Sequence, residues 1–269
     1  MSLPKYAMNQ ASFPAMYERE LVGRLFKPFA EITLDKIGVA PGDRLLDIAC
    51  GTGVVARAAR ERIGPSATIV AVDISSDMLE IARNIEPSVD WREGDAAALP
   101  VGSNEQFDVV ICHQGLQFVA DKGAAAAEMR RVLRRGGRSA VAAWCSDDEI
   151  PFFRDLRLVA ERHLGPISDQ RYGFGDAAAL EDLLGGAGLT GVRVTRATHT
   201  VRMDNGATLV RMNAMALVGM SSGGVTLDEG ERQRMLERIV QESQPVLDAF
   251  SSRGVTAFDI ATNLATANG

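Results

Sequence analysis

An α/β fold with a mostly parallel, doubly wound sheet is predicted by the order and composition of the segments. Strand-like and helix-like segments alternate from residue 44 to residue 144, which is typical of parallel strands joined by crossover helices. The runs 68–73 and 107–112 are nearly all apolar, as expected of strands that are buried on both faces. The sequence therefore predicts a central sheet with helices on both sides.

The remaining elements follow from periodicity and from turn residues. Apolar residues recur at helical spacing between Phe13 and Gly38, so one or two helices precede the sheet. Strands are predicted at 44–49, 68–73, 89–93, 107–112, 137–144, 190–203 and 255–266. Helices are predicted at about 53–63, 76–84, 121–135, 151–164, 176–186, 207–219 and 228–250.

Composition and charge limit the classes of function. With 46% hydrophobic and 24% charged residues, the 269-residue chain has the composition of an ordinary globular protein. Its net charge of −6 gives no general footprint for nucleic acid, and the Arg-rich run 130–138 fits the end of a helix. Three widely spaced cysteines and no clustered metal ligands predict a reduced, cytoplasmic protein without a metal site, and no apolar stretch is long enough to predict a membrane span.

The stretch 45–53 is the most informative motif. It reads Leu-Leu-Asp-Ile-Ala-Cys-Gly-Thr-Gly, so a buried strand that carries Asp47 turns at Gly51 and Gly53 into a helix. Such glycines let the backbone lie close to a ligand. The dinucleotide pattern G-x-G-x-x-G/A is formally matched, but an acid at this position repels a pyrophosphate. The motif therefore favours a cofactor that has a cationic group.

The motif resembles the first motif of the class I, Rossmann-like S-adenosylmethionine-dependent methyltransferases, in particular their quinone-biosynthesis-like small-molecule branch. In the family an acid precedes x-G-x-G-x-G, and here Ala49 replaces the first glycine. The resemblance implies a seven-stranded sheet with an antiparallel last strand and helical lid additions. It implies S-adenosylmethionine as cofactor and S-adenosylhomocysteine as product, with Asp47 near the ammonium group. The implied contacts of the turn are Ala49, Cys50, Gly51, Thr52 and Gly53.

Two further acids match the family after the next two strands. Asp73 ends the second strand, where an acid can accept hydrogen bonds from both ribose hydroxyls. Asp95 follows the third strand; by itself it also fits a loop cap, but its order and spacing after Asp47 and Asp73 favour a cofactor contact. Met78 fits a helix core as well as a cofactor contact. The resemblance assigns the adenine contacts to Ile74, Met78, Gly94, Asp95 and Ala96.

His113 is the candidate general base, because it follows the fourth strand and an imidazole titrates near neutral pH. A base is optional in this chemistry, since an in-line attack on the sulfonium methyl group depends on alignment and on exclusion of water. The family often uses this position only to contact the cofactor. Gln114 and Gln117, in the same loop, are predicted to hydrogen-bond the cofactor or the acceptor.

The flanks are predicted to cover the cofactor and to bind the acceptor. Because comparable enzymes cover their cofactor with an N-terminal helix, Tyr17 is a predicted lid residue, with a core position as its alternative. We expect an N-terminal helical cap at 1–40, a cofactor-binding core at 41–145 and the rest of the sheet at 146–269, with lid insertions at about 146–175 and 204–254. Aromatic residues predicted to line an apolar acceptor pocket are Phe118, Trp144, Phe152, Phe153, Tyr172 and Phe174.

The combined prediction is methyl transfer from S-adenosylmethionine to an oxygen, nitrogen or carbon nucleophile of a small, partly apolar molecule. A non-catalytic S-adenosylmethionine-binding sensor or scaffold is the alternative, and an NAD-dependent dehydrogenase is the weaker one. The predicted partner is a small-molecule methyl acceptor and not a nucleic acid, and a homodimer is compatible with the sequence. Neither the acceptor nor the methylated atom follows from the sequence.

Overall fold

The computed structural model describes residues 13–269, and one mixed sheet forms its centre. The strands are β1 (Leu45–Ile48), β2 (Ile69–Asp73), β3 (Asp90–Glu93), β4 (Phe107–His113), β5 (Leu133–Trp144), β6 (Thr190–Met203), β7 (Ser251–Ser252) and β8 (Val255–Asn268). Their order across the sheet is β3-β2-β1-β4-β5-β8-β6, and β7 pairs with β8. The first five strands are parallel to one another, whereas β8 runs antiparallel to both β5 and β6.

The described sheet has eight strands, so the predicted count of seven was wrong. The additional strand, β7, is a two-residue hairpin partner of β8, and its turn contains Arg253 and Gly254 at φ values of 52° and 80°. A strand of two residues is too short to show a period of two in the sequence, which is why it escaped prediction. The mostly parallel sheet with an antiparallel last strand is confirmed.

Helices cover both faces of the sheet and one of its ends. The N-terminal layer is α1 (Phe13–Tyr17), a π-helical segment (Glu18–Phe26) and α2 (Lys27–Ile37). The crossover helices are α3 (Val54–Ile63), α4 (Ser76–Ile85) and α5 (Lys122–Val132). The later helices are α6 (Pro151–Leu164), α7 (Ala177–Gly186), α8 (Gly206–Met220), α9 (Ser222–Val225), α10 (Glu229–Glu242) and α11 (Gln244–Ala249). Short 3-10 turns lie at Leu116–Phe118, Asp147–Glu149 and Gln170–Tyr172.

Two predicted helices have different ends in the structure. The helix predicted at 121–135 ends at Val132, because β5 begins at Leu133 and pairs there with Phe107. The helix predicted at 228–250 is two helices that meet at Ser243. Pro245 lies in the first turn of the second helix, where its missing N–H is tolerated, and it cannot continue the first helix.

The core is built on both faces of the sheet. Neighbouring residues of one strand point to opposite faces, so Leu45 packs with α3 and α4 residues such as Leu79, whereas Leu46 packs with α5 residues such as Met129. A third cluster lies under the N-terminal layer, where the rings of Phe152 and Phe258 stack at 4.4 Å between centroids. A fourth joins α6, α8 and α10. The helices after β5 therefore form a packed layer beside the parallel strands. Among residues 13–269, none of the helices is long and apolar enough to cross a membrane.

Candidate functional site

A cavity of about 720 Å³ opens where the parallel strands end. One part, here called the strand-end half, is lined from the turns after β1 to β4 by Ala49, Gly51, Asp73, Ile74, Ser75, Ser76, Asp77, Met78, Gly94, Asp95, Ala96, Gln114 and Gly115. The other part, the helical half, is lined by Phe13, Tyr17, Leu21, Leu25, Phe26, Phe118, Val119, Ala120, Trp144, Phe153, Arg171, Tyr172, Leu209, Met212, Asn213, Ala216, Met220 and Ile260. The carboxyl ends of parallel strands are where open α/β sheets bind their ligands.

The turn after β1 depends on unusual backbone conformations. Ala49, Gly51 and Gly53 have φ values of 54°, 56° and 85°, in the region that favours glycine. A Cβ on Gly53 would lie 2.2 Å from the ring of Trp91, whereas a Cβ on Gly51 would meet no protein atom within 4 Å. Ala49 and Gly51 line the cavity, but the predicted contacts Cys50, Thr52 and Gly53 do not. The open side of Gly51 leaves room for a ligand close to the backbone.

Asp73 connects the turns after β1 and β2. Its Oδ2 accepts a hydrogen bond from the Gly51 N–H at 2.7 Å, and its Oδ1 accepts one from the Ser75 N–H at 2.9 Å. Burial raises the pKa of this carboxyl, and the backbone hydrogen bonds oppose that shift. A carboxylate can accept about four hydrogen bonds, so Asp73 keeps acceptor capacity beyond its backbone partners Gly51, Ser75 and Ile74. The structure places Asp73 in the cavity wall, as the sequence predicted.

Asp47 does not line the cavity, so the structure gives no support to its expected position beside a cofactor ammonium group. The carboxyl is 1% exposed, and its Oδ2 accepts a hydrogen bond from the Ala56 N–H at 3.0 Å. This N–H belongs to the first turn of α3, where the backbone donors have no partner within the helix. Burial raises the pKa of Asp47 to about 8. Asp47 therefore holds the β1 turn onto α3 from inside the protein.

The predicted adenine contacts come together in the strand-end half. Ile74 is 60% exposed on the cavity rim. Met78 is buried in α4 and also lines the cavity, so it is both a core residue of its helix and part of the cavity wall. Asp95 also fits both predictions, since it lines the cavity while its Oδ1 accepts a hydrogen bond from the Ala97 N–H at 2.8 Å. Gly94 is required by packing, because a Cβ there would lie 2.5 Å from Pro100.

His113 and Gln114 occupy different environments at the end of β4. His113 is buried, does not line the cavity, and its ring interacts with the backbone of Phe26. Burial lowers the pKa of His113 to about 4, so the imidazole is neutral near pH 7. Gln114 lines the cavity at a φ of 56°, and its Nε2 donates to Thr262 Oγ1 at 2.8 Å. Gln117 is buried and donates to the Gln114 carbonyl oxygen at 3.1 Å.

Tyr17 lies in the cavity wall on the N-terminal layer. Its ring packs against Phe26 at 5.1 Å between centroids, and Phe26 packs against Trp144 at 5.8 Å. Burial and the nearby Asp73 raise the pKa of Tyr17, so its hydroxyl stays protonated and can donate a hydrogen bond. This N-terminal segment is tied to α3 by Arg57, whose Nη2 donates to both carboxylate oxygens of Glu18 at 2.9 and 3.0 Å.

The helical half contains residues that the sequence did not single out. Of the six predicted pocket aromatics, Phe118, Trp144, Phe153 and Tyr172 line the cavity, whereas Phe152 and Phe174 belong to the core. One face of α8 also lines it, with the helical spacing of Leu209, Met212, Asn213, Ala216 and Met220. The polar Asn213 within this apolar face was the available sequence signal. Arg171, in the turn before α7, was missed because a single arginine in a loop carries no pattern.

The cavity differs in charge between its two parts. Three carboxyls, Asp73, Asp77 and Asp95, line the strand-end half, and Arg171 is the one Lys, Arg or His in the wall among residues 13–269. In the same part of the chain, no group of three or more His, Cys, Asp or Glu side chains is arranged to hold a metal ion. An acidic end suits a ligand with positive charge, and the apolar remainder suits a second, less polar molecule.

The order of the sheet with its antiparallel last strand, the glycine turn after β1, an acid at the end of β2 and another after β3 match the fold of class I S-adenosylmethionine-dependent methyltransferases. A methyltransferase domain family matches residues 45–137, which hold β1 to β4 and the start of β5. The ubiquinone/menaquinone biosynthesis C-methyltransferase UbiE of Hahella chejuensis is 41% identical over 123 residues, which cover 44% of this chain and 48% of that protein. The chain is thus similar, over less than half of its length, to a methyltransferase of quinone biosynthesis.

Solved structures agree with this fold over longer stretches. A SAM-dependent methyltransferase from Thermotoga maritima, described as a histamine N-methyltransferase candidate, shares 26% identity at a TM-score of 0.52, covering 71% of this chain and 82% of its own. Phosphoethanolamine N-methyltransferase 2 of Haemonchus contortus, solved with S-adenosylhomocysteine, shares 16% identity at a TM-score of 0.59, covering 98% of this chain and 58% of its own. The chain spans about half the length of the curated relatives it matches.

Proposed function

We propose that this protein binds S-adenosylmethionine in the strand-end half and transfers its methyl group to a small, partly apolar molecule in the helical half. The observation that carries the proposal is Asp73, which joins the β1 and β2 turns and faces a cavity that continues into an apolar chamber. One continuous cavity can hold a cofactor and an acceptor side by side, which an in-line transfer requires.

The strand-end residues fit the parts of this cofactor. Asp73 offers its remaining acceptor capacity to ribose hydroxyls, and the wall at Ile74, Met78 and Ala96 offers apolar surface to a base. The open side of Gly51 accommodates the chain that leads to the sulfur, and the acids of this half favour a cationic ligand. An NAD-dependent dehydrogenase is disfavoured by the match of residues 45–137 to a methyltransferase domain family, and not by Asp73, since an acid at the end of the second strand also suits the ribose of NAD.

When bound, the cofactor supplies a methyl group on a positively charged sulfur. Transfer of that methyl group depends on alignment of the acceptor more than on acid–base catalysis. The N-terminal segment with Tyr17 and Phe26 excludes water from the cavity, and α8 with the turn at Arg171 positions the acceptor. His113 stays a candidate proton acceptor only through its position at the end of β4, because its ring lies outside the cavity wall and its lowered pKa makes it a weak base. Gln114 and Tyr17 are the cavity-wall donors that orient the cofactor.

The acceptor class, the assembly and the compartment belong to the same proposal. The named relative is a C-methyltransferase of ubiquinone and menaquinone biosynthesis, and an apolar chamber supports an aromatic acceptor of that general kind. We propose a cytoplasmic enzyme in which region 1–40, whose residues 1–12 lie outside the described part of the chain, is the cap. Region 41–145 is then the cofactor-binding core, and 146–269 completes the sheet and carries the lid insertions. A net charge of −6 disfavours a nucleic-acid acceptor, and a homodimer remains a prediction.

The test is transfer of an isotope-labelled methyl group from S-adenosylmethionine into a metabolite extract of the source cells, read by mass spectrometry. Asp73→Asn, which keeps the size of the side chain but removes its charge, should weaken cofactor binding in calorimetry by about 10- to 100-fold, since hydrogen bonds to charged groups contribute about 1.5–3 kcal/mol. Asp182→Asn removes a charge from an exposed part of α7 and is the matched control.

A labelled product with wild type and Asp182→Asn, strongly reduced with Asp73→Asn, would support the proposal and name the acceptor. Tight cofactor binding without any labelled product would favour the sensor or scaffold alternative. Absence of cofactor binding in wild type would overturn the proposal itself.

A further inference from the structure

Arg171 is the one charged side chain that lines the helical half among residues 13–269, and most of its neighbours in that wall are apolar. Its surroundings in the helical half include Trp144, Phe153, Leu209 and Ile260. The Arg171 side chain is 21% exposed, and because a guanidinium remains charged at every accessible pH, each of its donors turned away from solvent needs a partner. The position of this charge therefore requires an explanation from its contacts.

Asp169 satisfies only part of the guanidinium. Arg171 Nε donates to Asp169 Oδ1 at 2.9 Å, and Nη2 donates to Asp169 Oδ2 at 2.5 Å. The carboxyl of Asp169 is 4% exposed, so this pair is fixed, and the guanidinium lies over the ring of Tyr172 at 5.6 Å. No hydrogen bond from Nη1 is found within residues 13–269. The nearby Asp147 is already bonded to Arg157 Nε at 2.5 Å. One donor edge of Arg171 is thus left for a ligand.

Asn213 provides a second unpaired polar group in the same wall. It is 4% exposed on the cavity face of α8, and its Oδ1 has no hydrogen-bond partner among the described residues. A buried carbonyl oxygen without a partner costs roughly 1–3 kcal/mol, so such groups usually meet a ligand or water. Asn213 can accept a hydrogen bond from a hydroxyl or an N–H group of the acceptor.

The site also lies close to the place where transfer would occur. The turn Gln170–Tyr172 packs against the turn Leu116–Phe118 that follows β4, and a Cβ on Gly173 would lie 3.8 Å from Cβ of Gln117. The β4 end faces the strand-end half through Gln114 and Gly115. A molecule bound at Arg171 therefore lies in the part of the cavity that adjoins the proposed cofactor position.

We propose that the acceptor is a compact molecule with an apolar body and an anionic oxygen, which Arg171 binds, and that Asn213 accepts a hydrogen bond from a donor group of the same molecule. This inference rests on the proposed function, because it specifies the acceptor of that site. It narrows the acceptor from any apolar molecule to one that is ionised, either as a carboxylate or as a phenolate. Asp169 is a positioning residue, since it fixes the guanidinium and does not line the cavity.

The test measures binding of simple aromatic acids to protein saturated with S-adenosylhomocysteine. Benzoate, 4-hydroxybenzoate and 2-naphthoate are each compared with the primary amide by calorimetry, and 4-nitrophenolate is compared with 4-nitroanisole. We expect at least one anion to bind tenfold or more tightly than its neutral partner. A preference confined to the carboxylates or to 4-nitrophenolate identifies which kind of anionic oxygen is bound.

Three variants separate the charge from the fold. Asp169→Asn with Arg171→Gln removes both charges without leaving the buried Asp169 carboxylate unpaired, and should abolish the preference for the anion. Asp169→Asn alone keeps the cation and should keep that preference. Asn213→Leu, of similar size, should lose any gain of 4-hydroxybenzoate over benzoate. S-adenosylhomocysteine affinity should stay within twofold in all three.

Equal binding of anions and neutral partners, no binding of any anion to the loaded wild type, or a preference that survives in the double variant would overturn this inference. None of these results affects the proposed function while S-adenosylhomocysteine still binds. If S-adenosylhomocysteine itself does not bind, the proposed function fails, and the anion preference is then measured on the unloaded protein as a separate result.

Discussion

The two halves of the cavity are built in different ways. The strand-end half uses backbone turns, where Gly51, Gly53 and Ala49 have positive φ and Asp73 binds two backbone N–H groups. The helical half uses side chains from segments that are more than 100 residues apart in the chain, such as Leu25 and Leu209. Fixed backbone geometry holds one kind of ligand, whereas a side-chain wall can change its selectivity by single substitutions. The difference predicts that substitutions in the strand-end half impair the protein strongly, whereas substitutions in the helical half mainly change which acceptor is bound.

Gly53→Ala should have the largest effect. The added Cβ would lie 2.2 Å from the Trp91 ring at a φ of 85°, so overpacking and strain together should lower the free energy of unfolding by about 3 kcal/mol. Gly51→Ala is the matched control, because it has a φ of 56° but no steric conflict, and should cost about 1 kcal/mol. Urea denaturation measures both, and equal losses would contradict the importance of the Trp91 contact.

Asp47→Asn should change the pH dependence of stability. The folded carboxyl keeps its proton up to a pKa of about 8, whereas the unfolded one has a pKa of 3.8, so unfolding releases a proton between these values and stability falls as pH rises. His113, whose folded pKa is about 4, is mostly neutral in both states above pH 6.5. Between pH 6.5 and 8, wild type should lose about 1.5 kcal/mol relative to Asp47→Asn. Parallel pH profiles of the two proteins would refute a protonated, buried Asp47.

Glu18→Gln tests whether the N-terminal segment links the two halves. It removes the charge that Arg57 Nη2 binds through two hydrogen bonds, between partners that are each about one-fifth exposed. Because such a pair contributes about 1 kcal/mol, we expect about fivefold weaker binding of S-adenosylhomocysteine with little change in global stability. Glu20→Gln, which alters the neighbouring pair with the exposed Arg19, is the control. Equal S-adenosylhomocysteine affinities of the two variants would show that the N-terminal segment does not contribute to cofactor binding.

Ala49→Gly should have the smallest effect and should stabilise the protein. A φ of 54° costs an alanine about 1–2 kcal/mol, and glycine adopts it without strain. Part of this gain is offset because glycine gives the unfolded chain more conformational entropy. We therefore expect the free energy of unfolding, measured with denaturant, to rise by about 0.5 kcal/mol. The Ala49 Cβ also accounts for the glycine at position 115, because a Cβ on Gly115 would lie 2.4 Å from the Ala49 Cβ. Gly115→Ala should therefore be tolerated better in the Ala49→Gly background, and a destabilised Ala49→Gly would show that the alanine packs favourably.

The strand-end half was largely predictable because its information is local. Gly51 and Asp73 lie 22 residues apart at the ends of neighbouring strands, and parallel pairing brings such ends to one edge of the sheet. The position of Asp47 was predictable but its direction was not, since a strand residue can point to either face. Its side chain reaches Ala56 in α3, which only packing of that helix decides.

The helical half was not predictable beyond its aromatic character. Phe153 and Phe152 are neighbours in one helix, yet only Phe153 lines the cavity, because the other ring stacks on Phe258. The apolar face of α8 is visible as a helical repeat, but nothing local states that it covers a cavity. Arg171 and Asn213 can be recognised as candidate acceptor-binding residues only because the structure places both in the wall of the same cavity.

The sequence by itself determined the parallel core, the glycine turn, the acid at the end of β2 and the acid after β3, because hydrophobic periodicity and left-handed turn residues are properties of short segments. The tertiary structure alone decided which helix faces the cavity, that Asp47 is buried behind the turn, and that one arginine and one asparagine face an apolar chamber. Those outcomes depend on contacts between residues far apart in the chain, and the burial that gives a polar group its function is set by such contacts.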